Sequence, residues 1–366
     1  MKRINILALF FSMMTLVPSA VLAGPGRTGA QILNLGGGTR AAALGDAFST
    51  TTGDVTTAFW NPSGLATMPQ KESGEKEKQA AISYTDYSQL FGEASDGLYY
   101  AFFAGALPLE GGGTLGTTLQ IQGQGTILVT TDSPEPIREE NLGTNWAWTV
   151  SYADRLADRL SAGISGKIIQ MKLGPESGRA FAVDLGLQYD LPSVPIPITI
   201  GAAVQNWGTR IKFKDENQSD PLPRVFRLGT AATLYQDNNH RLRIVGELTS
   251  FIDKLKEDDD EGIDAFLAEN PGVTRGDLLS DRGVGIHAFE WKNMQKGVGV
   301  EYWLANLLAL RVGYKDDPGI NLPDLADHIT YGLGVRLLNY QFDYALIPGG
   351  GPDNKRLNVF ALILKF

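Results

Sequence analysis

The stretch Gly36 to Met68, GGGTRAAALGDAFSTTTGDVTTAFWNPSGLATM, does not alternate between apolar and polar residues. It is rich in Gly, Ala and Thr, and Asn61-Pro62 forces the backbone out of helix ahead of the proline. Such a segment cannot be a membrane strand. It accommodates two short helical turns, Thr39 to Phe48 and Val55 to Trp60, the second with Asp54 available as N-cap. Everything after residue 80 reads as strands in pairs, so the expected role of this compact piece is a plug that the strands wrap.

The alternating stretches lie downstream. Trp146, Trp148, Val150 and Tyr152 share one face against Ala147, Thr149 and Ser151. Phe181, Val183, Leu185, Leu187 and Tyr189 oppose Ala182, Asp184, Gly186 and Gln188. Leu308, Leu310, Val312 and Tyr314 oppose Arg311, Gly313 and Lys315, and Tyr340, Phe342, Tyr344 and Leu346 oppose Gln341 and Asp343. A soluble sandwich also alternates, with its apolar face inward. Loop lengths separate the two: of about fourteen strand candidates, every second connection is short, while the others are mostly longer and reach Phe251 to Lys296. Short turns at one end and long loops at the other are the pattern of an all-β transmembrane barrel of the outer membrane, with about 14 antiparallel strands. The last strand, Arg356 to Phe366, ends on an aromatic, as assembly signals of bacterial outer-membrane barrels do.

The N-terminal signature carries a resemblance. Gly38-Thr39-Arg40-Ala41-Ala42-Ala43-Leu44-Gly45-Asp46-Ala47-Phe48, then Gly53-Asp54-Val55 and Phe59-Trp60-Asn61-Pro62-Ser63-Gly64-Leu65-Ala66, resembles the N-terminus of the PorV/PorQ family of outer-membrane proteins. It is more distantly similar to FadL-type hydrophobic-compound channels, whose hatch carries a related Asn-Pro-Ala-Gly segment; Ser63 stands here where alanine is usual. The resemblance implies a non-enzymatic barrel that takes part in type IX protein secretion, docking exported cargo or secretion-system components through its outer loops. The alternative it implies is FadL-like passage of a hydrophobic small molecule, a long-chain fatty acid or hydrocarbon, with an apolar site near Trp60 and Phe103.

Composition bounds the rest. Met1 to Ala23, with Lys2, Arg3 and an apolar run before Val21-Leu22-Ala23, reads as a secretory signal peptide. That leaves 24–79 as N-terminal lead, plug and linker, and 80–366 as the barrel, in contact with the lipids of a Gram-negative-type outer membrane. The lead Gly24 to Leu35 is expected on the periplasmic side. Without cysteine there is neither a disulfide framework nor a thiolate site. Mean hydropathy of -0.10 and the lack of a long apolar run exclude membrane helices but not membrane strands. Taking Lys2 and Arg3 from 32 basic residues leaves 30 against 41 acidic, a net charge of -11, which disfavours nucleic acid as partner.

No catalytic constellation, cofactor motif or metal-ligand spacing emerges. His240, His287 and His328 fall in or beside loops, and Gly163-Ile-Ser-Gly166-Lys167 lacks a phosphate loop's first glycine and sits in a strand. The run Glu257 to Glu261 is a solvated charge cluster on a loop that also carries Ile263, Phe266 and Leu267 at helical spacing. The polar strand face bears Asp184, Arg227, Arg243, Glu247, Glu301, Arg311, Arg336 and Asp343, of both signs. These residues are expected to pair across the lumen and with Arg40, Asp46 and Asp54 of the plug. Arg40, Asp46, Asp54, Trp60, Asn61 and Pro62 are therefore the plug and lumen candidates. Residues 98–107 are apolar on both faces, so the inner face should meet apolar material such as Phe48, Phe59 and Trp60, or a greasy ligand.

Overall fold

The computed structural model describes residues 28–71, 74–88, 97–129, 138–192, 195–213, 219–252, 291, 294–318, 324–348 and 355–366. The signal stretch, Glu257–Glu261, the apolar residues after it and His287 lie outside these. The strands are β1 (Gln79–Asp86), β2 (Leu98–Pro108), β3 (Thr114–Gln124), β4 (Thr126–Val129), β5 (Arg138–Asn141), β6 (Thr144–Ala157), β7 (Leu160–Leu173) and β8 (Glu176–Asp190). They continue with β9 (Ile198–Gly208), β10 (Val225–Gln236), β11 (His240–Phe251), β12 (Gln295–Leu304), β13 (Leu308–Asp316), β14 (Ile329–Leu337), β15 (Tyr340–Pro348) and β16 (Arg356–Lys365).

Fourteen of these form one closed antiparallel barrel, sealed where β1 pairs with β16 from Gln79 opposite Lys365 to Thr85 opposite Val359. Closure leaves no edge with unpaired backbone, the condition for a sheet in lipid. Among the described residues β4 and β5 pair only with each other, and they extend the long β3–β6 connection as a separate ribbon. Connection parity holds with one exception: β7 and β8 run on to a turn at Gly174 and Pro175, shorter than expected, with Gly174 at φ 58°.

The alternation resolves into an apolar outside and a polar inside. Trp148, Val150 and Tyr152 of β6 are exposed while Ala147, Thr149 and Ser151 are buried. On β8, Phe181, Val183 and Leu185 point out and Asp184 points in. The buried polar face is covered by the chain's own N-terminal segment, residues 28–69, almost all of it buried. It contains 3-10 turns at Gln31–Asn34 and Pro62–Thr67 and two short helices, α1 (Thr39–Ala43) and α2 (Thr57–Trp60).

Both helices are shorter than the sequence suggested. α1 stops because Gly45 and Asp46 take left-handed backbone, with φ 66° and 62°, where Gly45 lies against the Tyr314 backbone. α2 starts at Thr57 with Thr56 at its N-cap. Asp54 acts one turn earlier, its carboxylate accepting from the Thr56 amide (3.0 Å) and hydroxyl (2.7 Å). Asn61 caps the following 3-10 turn by accepting from the Ser63 amide, with Pro62 in the first position where no amide is needed.

The described part of the lead, residues 28–35, does not lie at the periplasmic, short-turn end. The Gly29 amide donates to Pro221 O in the β9–β10 connection, at the long-loop end, whereas β1 begins at the short-turn end. Residues 28–79 therefore run the length of the lumen. Glycines on the inner wall give the segment room: a Cβ on Gly163 would lie 2.5 Å from the Pro62 carbonyl carbon, and one on Gly201 2.5 Å from Ser49 O. Gly186, Gly297 and Gly313 make equally close approaches to Asn61 and Gly45.

Candidate functional site: the polar lumen

Among the described residues, three sets of ion-paired side chains engage the N-terminal segment. In the first, α1 presents Arg40 to Glu301 of β12, Nε donating to Oε2 at 2.7 Å and Nη2 to Oε1 at 2.6 Å. Its Nη1 reaches Asp54 Oδ2 at 3.2 Å. Glu301 also accepts from Arg311 Nε of β13 at 2.8 Å, and Arg311 Nη1 continues to Asp343 Oδ1 of β15 at 2.6 Å. The chain Asp54–Arg40–Glu301–Arg311–Asp343 is buried throughout, so each charge depends on its neighbours for the solvation it has lost.

In the second group Glu247 of β11 accepts from the amides of Phe48 (2.9 Å) and Ser49 (2.7 Å) through Oε2, and from Arg227 Nη1 (2.9 Å) through Oε1. Arg227 bonds Gln205 and lies 4.6 Å over the Trp60 ring. The third is a half-buried pair, Lys315 Nζ to Asp46 Oδ2 at 2.7 Å.

Around these sits an aromatic contact. Trp60 donates from Nε1 to Gly37 O at 2.6 Å, Phe59 packs edge-on against it at 5.1 Å, and Phe102 of β2 meets Phe59 edge-on at 5.9 Å. The apolar inner face of β2 is thus satisfied by the N-terminal segment, through Phe102. Phe103, the residue expected beside Trp60, lies on the outer face at 37 % exposure.

Asn61 is fully buried and uses both ends of its amide. Nδ2 donates to Ser49 O (2.8 Å) and to Leu187 O of β8 (3.1 Å), while Oδ1 accepts from the Ser63 hydroxyl (2.7 Å) and amide (3.1 Å). Pro62 lies against Gly163. Arg40, Asp46, Trp60 and Asn61 therefore touch wall strands directly, whereas Asp54 reaches the wall network through Arg40 and bonds within its own segment.

Three parts of this interior escaped the sequence reading. Lys167 of β7, set aside with the glycines around it, pairs with Asp184 of β8 at 2.9 Å and donates to Asn206 Oδ1 at 2.6 Å. Gln79, taken as linker, accepts from the Val55 amide and donates to Gly53 O. Trp303 of β12 is buried against Arg336 and Arg311, at 4.4 and 5.6 Å. Strand parity applied to every charged or amide residue would have found Lys167. His240 bonds Tyr302 and His328 bonds Lys315 O, each at a strand end.

The geometry of barrel and lumen can be set beside known proteins. The family model described as Type IX secretion system protein PorV matches residues 27–254. The chain belongs to the PorV family. No curated protein matches it by sequence. Solved structures similar to this PorV-family chain include a Pseudomonas aeruginosa FadL homologue, at 12 % identity over 95 % of this chain and 99 % of that one, with TM-score 0.45. The Pseudomonas putida toluene transporter TodX is 10 % identical over 95 % and 99 %, with TM-score 0.47. The Ralstonia pickettii toluene transporter TbuX is 13 % identical over 91 % and 99 %, also with TM-score 0.47. A closed barrel with an apolar outer surface, in a PorV-family chain, belongs in an outer membrane of Gram-negative type.

Proposed function

We propose that this PorV-family barrel is non-enzymatic and serves protein export, docking exported cargo or secretion-system components at the outer membrane through its outer loops. The observation that carries the reading is the family match over residues 27–254. The lumen supports it physically. A conduit needs a path, whereas residues 28–69 act here as a plug tied to the wall by Arg40–Glu301, Asp46–Lys315 and the Glu247 bonds. Moving such a plug means breaking the buried Arg40–Glu301 pair, which costs about 3–5 kcal/mol where a charge is left uncompensated, together with the half-buried Asp46–Lys315 pair and the Glu247 bonds. A lumen occupied in this way supports a role carried by the outer loops.

The test is to delete the gene and compare the proteins released to the medium. A defined set of exported proteins should stay behind in the periplasm and be released again on complementation. An unchanged set of released proteins, together with lost growth on a hydrophobic carbon source, would instead favour passage of a small hydrophobic molecule.

A further inference from the structure

At the short-turn end of the lumen the charges do not balance. Arg40, Arg241, Arg243, Arg311 and Arg336 gather around Asp54, Glu301 and Asp343, five cations against three carboxylates among the described residues. Glu301 and Asp343 are engaged by Arg40 and Arg311 at 2.6 to 2.8 Å. Arg241 reaches Glu301 only at 3.7 Å, with its side chain 38 % exposed. Arg243 donates to a backbone carbonyl, Thr50 O at 2.7 Å, and Arg336 to the neutral Gln341 Oε1 at 3.1 and 3.3 Å. Neither has a carboxylate within ion-pair distance among the described residues. The nearby Lys365 and Glu77 pair with each other at 3.5 Å, and Asp190, on the Arg243 side, pairs with Arg155 at 4.0 Å; neither pair changes the surplus.

A second observation points the same way. Arg241 Nε, Arg311 Nη2 and Trp303 Nε1 are buried without a hydrogen-bond partner. Trp303 is 2 % exposed, and its ring packs against Arg336. All three orphans are N–H donors in one cluster, so what the site is short of is an acceptor. A buried donor left unpaired costs free energy, and guanidinium groups match the flat or tetrahedral oxygens of carboxylate and phosphate.

We propose that Arg241, Arg243 and Arg336, walled by Trp303, form an oxyanion site at the periplasmic mouth of the lumen. The class of ligand is a phosphate- or carboxylate-bearing molecule. Arg241 and Arg336 sit one residue inside the ends of β11 and β14, next to short turns, which puts the site within reach of the periplasm and of inner-leaflet headgroups.

The test uses the full-length protein in neutral detergent, with inorganic phosphate and acetate titrated by calorimetry and bound lipid read by native mass spectrometry. Wild type is expected to bind one phosphate saturably. Arg241→Gln and Arg336→Gln should each weaken binding roughly tenfold or more, the loss of a charge-assisted bond. Arg336→Lys, which keeps charge but loses the planar fork, should fall between. Arg179→Gln, exposed at the opposite, long-loop end of β8, should change nothing. Heat-modifiable gel migration confirms that each variant remains a folded barrel. Anionic lipid retained by wild type and lost from the Arg241→Gln/Arg336→Gln protein identifies a headgroup as the source, and phosphate binding without retained lipid identifies a free anion. Absence of saturable binding of any of these to folded wild type, or binding unaffected by both arginine changes, overturns the proposal.

Discussion

Arg40 and Glu301 stand 261 residues apart in the chain and meet through two charge-assisted hydrogen bonds inside the barrel. The contact fixes α1 against β12, and because Glu301 also accepts from Arg311, one carboxylate joins the N-terminal segment to two wall strands. Arg40→Ala leaves Glu301 short of half its compensation and should cost about 3–5 kcal/mol, the usual penalty for breaking a buried pair from one side. The apolar double variant Arg40→Met/Glu301→Leu removes one charge of each sign but strips Arg311 of a partner, so it should recover only part of the loss. Urea unfolding in detergent, followed by gel mobility, measures both.

The wall glycines make a steric prediction. Gly201→Val places a Cβ 2.5 Å from Ser49 O, and a backbone atom cannot swing aside as a flexible side chain can. The N-terminal segment should be displaced, with new conductance in planar bilayers and protease cleavage within residues 28–69. Gly166→Ala in β7 meets nothing within 4 Å and should leave both readouts unchanged.

Asn61 holds Ser49, Leu187 and Ser63 from a site without solvent. Asn61→Ala orphans buried partners on both sides of its amide and should cost about 2 kcal/mol or more. Faster hydrogen exchange at Ser63 and neighbouring amides, in a barrel whose strand amides stay protected, is the expected signature.

The β10–β11 turn carries a pH dependence. The Tyr235 hydroxyl, then the amides of Asn239 and His240, hold the Asp237 carboxyl below its ordinary value of about 4. For a depressed carboxylate the stabilisation is complete above the unfolded pKa and disappears as pH falls through the folded one. Exchange-corrected protection of the Asn239 and His240 amides should therefore stay flat from neutral pH to about 4 and decline only below that, as NMR in micelles would show. Asp237→Asn should remove the decline.

The barrel was legible because lipid outside and a polar filling inside impose period two on every wall strand, and Phe181 to Tyr189 displays it over nine residues. The charged lumen followed from parity alone, since a charge on the polar face of a closed barrel has nowhere to go but inward. The N-terminal segment was harder. α1 looked longer because the stop signal at Gly45, a glycine in left-handed backbone just past the helix, was passed over in favour of the apolar residues Ala47 and Phe48 beyond it. The direction in which residues 28–35 enter is set by a backbone bond to Pro221, invisible in their composition. Glycines such as Gly201 and Gly163 read equally as bulges, turns or close approaches until the segment they accommodate is in place. Phe102 and Phe103 differ by one position, so a slip of one residue moved the expected aromatic contact from lumen to lipid.

The most direct test of the export role is to extract the native complex from outer membranes in mild detergent and identify bound proteins and bound lipids together by mass spectrometry. An export role requires stoichiometric exported proteins that share a C-terminal domain, with or without secretion-system components. A stoichiometric fatty acid or hydrocarbon in the lumen, and no protein partner, would contradict it.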